Sequence, residues 1–528
     1  MSSALSSAFR VVGSLTLLSR VLGLVRDVVT ARLFGDTAIG SAFAAAFAVP
    51  NTFRRLFGEG ALAAAFVPEY AALVERDRRA ADRFASFTVC ALGLATAALT
   101  LLGELGLWLA LSMAPAGSIR ATSIALVMLA LPFMPLICLS AMLAGMLQVH
   151  GRFAPPAAQP IVLNACVLLA AGVHALRQGA SKESAAAMLC LAVVASGLVQ
   201  LVWCLLALRP YVRWTRAMAG VGRSARRLLR RWGPALVGLG TLQVSALLDV
   251  LLAMWPIWFG PMILAVRYPL DEQANAVLFY AQRLYQFPLG VFAVAVATAA
   301  FPILSRLANS PAAFRQAAVD ALALSLGIAL PAGVGLMLVA GDLTATLFAG
   351  GQGFSSQGAQ RSAAVLVGYA SCIWAYAANQ VLTRACYARG DTKGPAVVAV
   401  GVLLANLAGN LLLIWPLREA GLAWSTAIAA VMQTLVLLAW LRARHDLPLA
   451  RAVLARSWKA LPCTAAMAIV VLVVLIAWEP GQGWTGRAAR LGACVALGAA
   501  AYGLAALAMG YREPLGALRG DPRRRQRP

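Results

Sequence analysis

Apolar segments of about 20 residues, the length that a helix needs to cross a bilayer, recur along almost all of the 528-residue chain. Hydrophobic residues make up 61% of the sequence and charged residues only 12%, whereas soluble proteins average about 25% charged residues. A soluble chain could not bury this much apolar surface. The sequence therefore predicts an all-α polytopic membrane protein.

Polar stretches and Gly/Pro-rich breaks divide the apolar sequence into about fourteen predicted transmembrane helices. The second and the eighth are long and contain Pro50 and Pro288, so we expect an interruption or kink in each. The predicted spans are residues 11–34, 40–67, 84–112, 121–147, 156–176, 184–208, 234–260, 274–304, 316–341, 361–387, 394–416, 420–441, 460–478 and 488–510.

The distribution of positive charge predicts the orientation. With the N-terminus in the cytoplasm, roughly 29 of the 44 Lys and Arg residues fall on the cytoplasmic side and roughly 8 on the other side. Because positively charged loops stay in the cytoplasm, we expect a multi-pass protein of the cytoplasmic (inner) membrane with both termini inside. The same bias explains most of the net charge of +24, which argues against nucleic acid as a partner and favours anionic membrane lipids.

Two pairs of similar segments recur at a nearly constant offset. "LAAAFVPEYAAL" and "VATAAFPILSRL" place Pro68 and Pro302 234 positions apart, and "QVHGRFAPPA" and "YARGDTKGPA" place Gly151 and Gly390 239 positions apart. Such repetition is typical of transporters built from related lobes. It predicts two six-helix lobes around a central cavity, followed by two further helices.

The predicted organisation has five parts. They are an N-lobe at 1–209, a basic cytoplasmic linker at 210–233, a C-lobe at 234–442, two last spans at 443–512 and a basic cytoplasmic tail at 513–528.

Motifs of catalysis or of ATP binding are absent from the sequence. It contains no HExxH, no Walker P-loop and no GxSxG, its three histidines are isolated, and its nine cysteines are scattered singly. We therefore predict a transporter rather than an enzyme, without a cofactor.

Charged residues inside the predicted spans are the strongest functional signal. A charge at the centre of a spanning helix costs about 2.5–3.5 kcal/mol, yet Arg20, Arg26 and Asp27 share about a third of the circumference of the first helix. The second helix adds Arg54 and the eighth adds Arg283. Since such charges normally face a bundle interior or a water-filled cavity, we expect a cavity lined by guanidinium groups.

A cationic cavity favours an anionic substrate, and the planar fork of arginine suits phosphate. Two acids accompany these arginines, so ion pairs between neighbours are an alternative reading, with Arg26–Asp27 and Arg55–Glu59 as the pairs. The predicted substrate-binding residues are Arg20, Arg26, Arg54 and Arg283, with Asp27 and Glu59 as supporting ion pairs or a gate.

A second set of polar residues lies in the seventh, eleventh and twelfth spans: Asp249, Asn406, Asn410 and Thr426. Carboxylate, amide and hydroxyl oxygens suit a hard cation such as sodium. Hydrogen bonding between packed helices explains the same residues, and it is the interpretation that the sequence favours.

Four segments resemble the MurJ (MviN) family of lipid II flippases, which belongs to the multidrug/oligosaccharidyl-lipid/polysaccharide exporter superfamily. They are "SRVLGLVRDVVTARLFG", "VPNTFRRLFGEGALAAAFVPEY", "YAQRLYQFPLGVFAVAVATAAFP" and "YARGDTKGPA". The resemblance runs from about residue 10 to the end of the fourteenth span. It implies fourteen spans, cytoplasmic termini and a groove at the last two helices for a polyprenyl tail.

The resemblance also assigns residues. Arg20, Arg26, Arg54 and Arg283 match essential cavity arginines that hold the pyrophosphate, and Asp27 and Glu59 match family positions. Asp249, Asn406, Asn410 and Thr426 fall where one branch binds sodium. The chain departs from the family at Ser41, Gln282 and Asn410, where relatives carry acids, so an ion or proton gate at these positions is in question.

The expected function is transport of the undecaprenyl-pyrophosphate-linked peptidoglycan precursor, lipid II, to the outer leaflet by alternating access, in cell wall biogenesis and cell shape. The expected partners are lipid II, membrane lipids and the peptidoglycan synthesis machinery. Alternatives are an exporter of another polyprenyl-pyrophosphate-linked oligosaccharide, a membrane enzyme of glycan assembly, or a non-transporting scaffold. A scaffold tolerates neutral residues at Arg20, Arg54 and Arg283, whereas a carrier does not.

Overall fold

The computed structural model describes residues 2–55, 61–177, 179, 181–263, 265–349, 353–481 and 483–511. Glu59 and the predicted tail at 513–528 lie outside the described residues. Almost all of the described chain is helical, and one short antiparallel hairpin joins β1 (Met262–Ile263) to β2 (Val266–Arg267). The prediction of an all-α membrane fold is confirmed.

The chain divides into two compact units, Met1–Ala276 and Val277–Pro528. The helices of the first unit are α1 (Ser2–Phe34), α2 (Ala38–Phe53), α3 (Ala61–Arg76), α4 (Arg78–Ser112), α5 (Ile119–Ala130), α6 (Phe133–Val149), α7 (Ala154–Ala175), α8 (Lys182–Leu208) and α9 (Val221–Trp258). The division at residue 276 places α9, the predicted seventh span, in the first unit.

The remaining helices follow the β-hairpin. They are α10 (Ala274–Pro288), α11 (Val294–Arg306), α12 (Pro311–Leu338), α13 (Ala340–Leu347), α14 (Ser356–Ala370), α15 (Ile373–Ala388), α16 (Lys393–Leu417), α17 (Glu419–His445), α18 (Ala450–Ser457), α19 (Ala460–Ala477) and α20 (Trp484–Ala508). α10 begins in the first unit and continues into the second.

Each predicted span falls on helix within the described residues. Ten helical stretches of the described chain are long and apolar enough to cross a membrane, and the shorter apolar helices include Ala38–Phe53, Gln243–Trp258 and Val294–Arg306. The total of fourteen stays a prediction. Large apolar side chains on these helices are open to the surroundings, with Leu101 and Leu169 each 70% exposed, as expected where the surroundings are lipid.

The predicted interruption at Pro288 is present as a change of helix type. α10 ends at Pro288, a π-helical segment follows at Leu289–Ala293, and α11 continues from there. Proline has no backbone N–H and its ring crowds the preceding turn, so the regular hydrogen bonds cannot continue through it. Pro50 lies inside α2, which ends three residues later at Phe53.

The two loops of the repeat each follow a helix with a left-handed glycine, Gly151 (φ 72°) after α6 and Gly390 (φ 77°) after α15. Glycine adopts this conformation without a Cβ penalty. In the second loop, Asp391 accepts hydrogen bonds from the Gly394 amide at 2.8 Å and from the Trp440 indole at 2.7 Å, and it pairs with His445. Burial raises the pKa of Asp391, but these donors outweigh it and hold the pKa below its usual value.

The turn between α16 and α17 depends on a glycine. A Cβ on Gly421 would lie 2.2 Å from the carbonyl oxygen of Leu413, a backbone atom that cannot move aside without shifting α16. By contrast, a Cβ on Gly401 in α16 meets nothing within 4 Å. The two glycines therefore form a matched pair for testing the packing of this hairpin.

We predict that Gly421→Ala lowers the free energy of unfolding by about 1–3 kcal/mol, the usual cost of overpacking. Gly401→Ala leaves it unchanged or raises it slightly, because alanine favours helix over glycine. The measurement is the temperature at which heated, detergent-purified protein loses its monodisperse chromatographic peak. Equal melting temperatures for the two variants would show that the α16–α17 approach is looser than described.

Candidate functional site

Arg26 is buried on α1 and contacts side chains from three helices. Its Nε and Nη2 donate to Oδ1 of Asp27 at 3.1 and 2.6 Å, and its Nη1 donates to Oδ1 of Asn164 on α7 at 2.9 Å. The guanidinium also lies over the ring of Phe47 on α2, 5.1 Å from its centroid. The Arg26 and Asp27 side chains are only 11% and 8% exposed. This arrangement fixes the position of one cation and neutralises its charge.

Asn164 is a residue that the sequence reasoning missed. It is buried, and its Nδ2 donates to the carbonyl oxygen of Ser19 on α1 at 3.1 Å while its Oδ1 accepts from Arg26. Polar groups inside a membrane are retained where a neighbouring helix satisfies them. The sequence feature that could have identified it is that Asn164 is the single amide residue within the apolar segment "PIVLNACVLLAA". We interpret Asn164 as a positioning residue for Arg26.

Arg20 differs from Arg26 in its surroundings. It is partly exposed and makes no hydrogen bond or ion pair with any residue that the structure describes. The six-residue separation places it about 9 Å from Arg26 along α1. Because Asp27 neutralises Arg26 while Arg20 has no acidic partner in the described chain, this part of α1 keeps a net positive charge that can attract an anion.

Arg54 caps the carboxyl end of α2, in the same unit. Its Nε donates to Oδ1 of Asn51 at 2.9 Å, which holds the side chain along the helix end. Seven residues, or about two turns, separate Arg54 from Phe47, so both lie on one face of α2. This is the face that carries the ring beneath Arg26. Arg20, Arg26 and Arg54 therefore all belong to the α1–α2 region of the first unit.

Arg283 lies in the second unit, on α10. Its guanidinium lies over the ring of Phe279, 4.6 Å from the centroid, which stabilises the cation. The neighbouring Gln282 donates from Nε2 to the hydroxyl of Tyr369 at 2.9 Å. A neutral amide thus makes a hydrogen bond at the position where the family resemblance implies an acid.

Ser41 is fully buried and holds the first turn of α10. Its Oγ accepts from the backbone N–H of Ala276 at 3.0 Å, and its carbonyl oxygen accepts from Nδ2 of Asn275 at 2.8 Å. These contacts lie within the residues of the first unit. A hydroxyl caps the helix without carrying a charge, so the contact has no carboxyl group to titrate.

Three of the residues suggested for sodium make hydrogen bonds with one another, within α16 and between α16 and α17. Asn406 Nδ2 donates to Oγ1 of Thr426 at 3.3 Å, and Asn406 Oδ1 accepts from Nδ2 of Asn410 at 3.4 Å. Asp249 belongs to the other unit, and the described residues contain no group of three or more His, Cys, Asp or Glu placed to hold a metal. These contacts fit helix packing between α16 and α17, and sodium binding stays a prediction.

We predict that Arg26→Ala strongly destabilises the protein, because Asp27 then keeps a buried carboxylate without its guanidinium. Loss of one partner of a buried pair costs about 3–5 kcal/mol. The double variant Arg26→Ala/Asp27→Asn should recover most of that loss, as measured by thermal melting of the purified protein. The exposed Arg177→Ala serves as control. A double variant no more stable than Arg26→Ala would contradict this ion pair.

The comparisons with known proteins agree with one another. The family model described as "Lipid II flippase MurJ" matches residues 30–486. A probable lipid II flippase MurJ from Vibrio cholerae is 30% identical, with 95% of each chain covered. A lipid II flippase MurJ from Burkholderia cenocepacia is 27% identical, covering 96% of this chain and 97% of that protein.

Solved structures with the same fold include a lipid II flippase MurJ in an inward closed conformation, with a TM-score of 0.77, 22% identity and coverage of 96% of this chain and 99% of that chain. An inward-facing multidrug resistance MATE transporter of the MOP superfamily matches with a TM-score of 0.64, 13% identity and coverage of 83% and 98%. At these identities the structural matches establish the fold. The family model over residues 30–486 and the 30% identity to the Vibrio cholerae protein show that the chain belongs to the lipid II flippase MurJ family.

Proposed function

We propose that this protein flips lipid II, the undecaprenyl-pyrophosphate-linked peptidoglycan precursor, from the inner to the outer leaflet of the cytoplasmic membrane by alternating access. One structural observation carries the proposal: Arg20 faces its surroundings without a partner in the described chain, next to the neutralised Arg26. Membership of the MurJ family supports lipid II as the substrate.

The chemistry of the carried group matches this site. A diphosphate has several anionic oxygens, and a guanidinium donates two parallel hydrogen bonds to such a group. In a membrane interior a bare diphosphate would be very costly, so a carrier must supply cations at the depth where it crosses. Arg20 and Arg54 are the candidates for this role in the first unit, and Arg283 is the candidate in the second unit, taken by itself. Alternating access then exposes the bound anion to one side at a time.

The distribution of roles among the arginines follows from their contacts. Arg26 is held by Asp27 and Asn164, so it contributes an oriented dipole more than a net charge. Among the residues that the structure describes, Arg20 has no acidic partner to release before it binds a phosphate, which makes it the better primary ligand. Asp27 neutralises Arg26, so only part of the positive charge is available to the anion. The anion is therefore bound weakly enough to be released, as a carrier requires.

The location in the inner membrane with both termini in the cytoplasm forms part of the proposal, supported by the positive-inside bias. Exposed arginines in the amino-terminal half of α9, such as Arg223, Arg226 and Arg230, fit a cytoplasmic face next to anionic lipid headgroups. Contact with the peptidoglycan synthesis machinery is the partner interaction that this location would permit.

Export of another polyprenyl-pyrophosphate-linked oligosaccharide is the competing function, because the described arginines recognise the diphosphate and not the sugar. A scaffold without transport is a different class. A scaffold requires no cation in the spans. Arg20 and Arg54 would then make insertion into the membrane less favourable without serving a function. A transport assay with lipid II separates all three functions.

We predict that Arg54→Ala lowers lipid II exposure at least about tenfold, since a hydrogen bond to a charged group contributes about 1.5–3 kcal/mol. The assay uses bacterial cells depleted of their own flippase and carrying this protein. An externally added enzyme that cuts the pyrophosphate link of lipid II measures the exposed fraction. The control, Arg152→Ala, removes an exposed loop arginine and should restore exposure as the intact protein does.

Each outcome of the cell assay has a defined meaning when all variants insert at equal levels. Restoration by the intact protein and by Arg152→Ala, but not by Arg54→Ala, supports the cationic flippase. Failure of the intact protein removes lipid II as the substrate and favours another lipid-linked oligosaccharide. Equal restoration by Arg54→Ala keeps the flippase but removes Arg54 from its ligand set.

A further inference from the structure

A cation outside the set discussed above lies in the second unit. Arg384, on α15, donates from Nη2 to Oγ1 of Thr298 on α11 at 3.3 Å. Its Nη1 is buried and has no hydrogen-bond partner among the described residues, and no carboxylate of the described chain pairs with it. A guanidinium with an unsatisfied N–H donor in a spanning helix destabilises the protein unless an anion accepts a hydrogen bond from that donor.

The carboxylates near this end of α15 are already occupied. Asp391 binds Trp440 and His445, and Asp320 pairs with Arg456 at 2.8 Å. None of these groups is therefore available to neutralise Arg384. The neighbouring helix ends instead carry further exposed cations, Arg306 on α11, Arg315 on α12 and Lys393 on α16. The local charge thus attracts an anion from outside the protein.

Two residues with hydroxyl groups neighbour Arg384. Thr298 is exposed and offers a hydroxyl, and Tyr387, which is 38% exposed, follows Arg384 by three residues on the same face of α15. A guanidinium fork with two hydroxyls is a donor set suited to phosphate oxygens. Arg384 lies four residues before the end of α15, so its long side chain is within reach of the headgroup region.

This position is separate from that of Arg283. Fifteen residues along α10, the π-helical segment and α11 separate Arg283 from Thr298, which corresponds to about 22 Å of helix. A single diphosphate cannot reach both places at once. An anion at Arg384 is therefore either a different group or the same group at an earlier stage of its path.

We propose that Arg384, Thr298 and Tyr387 form a second anion site, which binds the phosphate of a lipid at the depth of the inner leaflet. Two sources share this chemistry: the diphosphate of the carried lipid before it reaches Arg283, and a phospholipid of the bilayer. The first source rests on the proposed function. The site itself does not, because it is defined by the donors of the second unit alone.

The test measures lipid binding to the purified full-length protein by native mass spectrometry in detergent. Undecaprenyl diphosphate and phosphatidylglycerol are titrated separately. The variants are Arg384→Gln, which removes the charge, and Arg384→Lys, which keeps the charge but loses the fork. Arg451→Gln is the matched control, because it removes an exposed arginine of the same unit, on α18, that is not one of the cations named above.

We expect Arg384→Gln to weaken binding of at least one probe by about fivefold or more, as loss of a charged hydrogen bond implies. The affinity of Arg384→Lys should lie between those of Arg384→Gln and the intact protein, and Arg451→Gln should bind as the intact protein does. Weaker binding of undecaprenyl diphosphate identifies the carried lipid as the source. A loss confined to phosphatidylglycerol identifies a bilayer phospholipid. Unchanged binding of both probes overturns the site.

Folding is checked by the chromatographic peak and the melting temperature of each variant. Should Arg384→Gln not fold, Thr298→Val keeps the charge and removes one donor, and it should weaken the same probe about twofold to threefold. Unchanged binding by both Thr298→Val and Arg384→Lys then overturns the proposal. No step of this test needs transport, so failure of the flippase assay and failure of the Arg384 site are separate results.

Discussion

The contact on which the first unit depends is the buried cluster of Arg26, Asp27 and Asn164. A guanidinium cannot stay in a membrane interior unless its charge and its donors are satisfied, and here α1 supplies the acid, α7 the amide and α2 the ring of Phe47. The same contacts that stabilise the buried charge also join three helices. The position of Arg20, six residues earlier on α1, follows from them.

This cluster explains how one helix can carry charges of two kinds. Arg26 is neutralised inside the protein, whereas Arg20 has no partner in the described chain. The second unit shows a comparable division, with Asp391 held by Trp440 and His445 while Arg384 keeps a donor unused. In each unit the satisfied charges stabilise the helices and the unsatisfied ones are available to a ligand.

The sequence predicted the helical segments and the cationic face of α1, because apolar length and helical spacing are local properties. It missed Asn164, whose role depends on which helix packs against α1. The helix that contains the predicted seventh span is longer than that span: α9 begins at Val221, and Val221 and Leu228 are buried on one face while Arg223 and Arg226 are exposed. An apolar window cannot detect a helix of which only one face is buried.

The most direct test of the account is transport by the purified protein in vesicles. Fluorescent lipid II placed in one leaflet is followed as it becomes accessible to a quencher in the other, with the intact protein, with Arg20→Ala and with empty vesicles. The account predicts rapid exchange with the intact protein and exchange at the rate of empty vesicles with Arg20→Ala at equal reconstitution. Equal rates for the intact protein and Arg20→Ala would contradict the claim that an unpaired guanidinium on α1 carries the diphosphate.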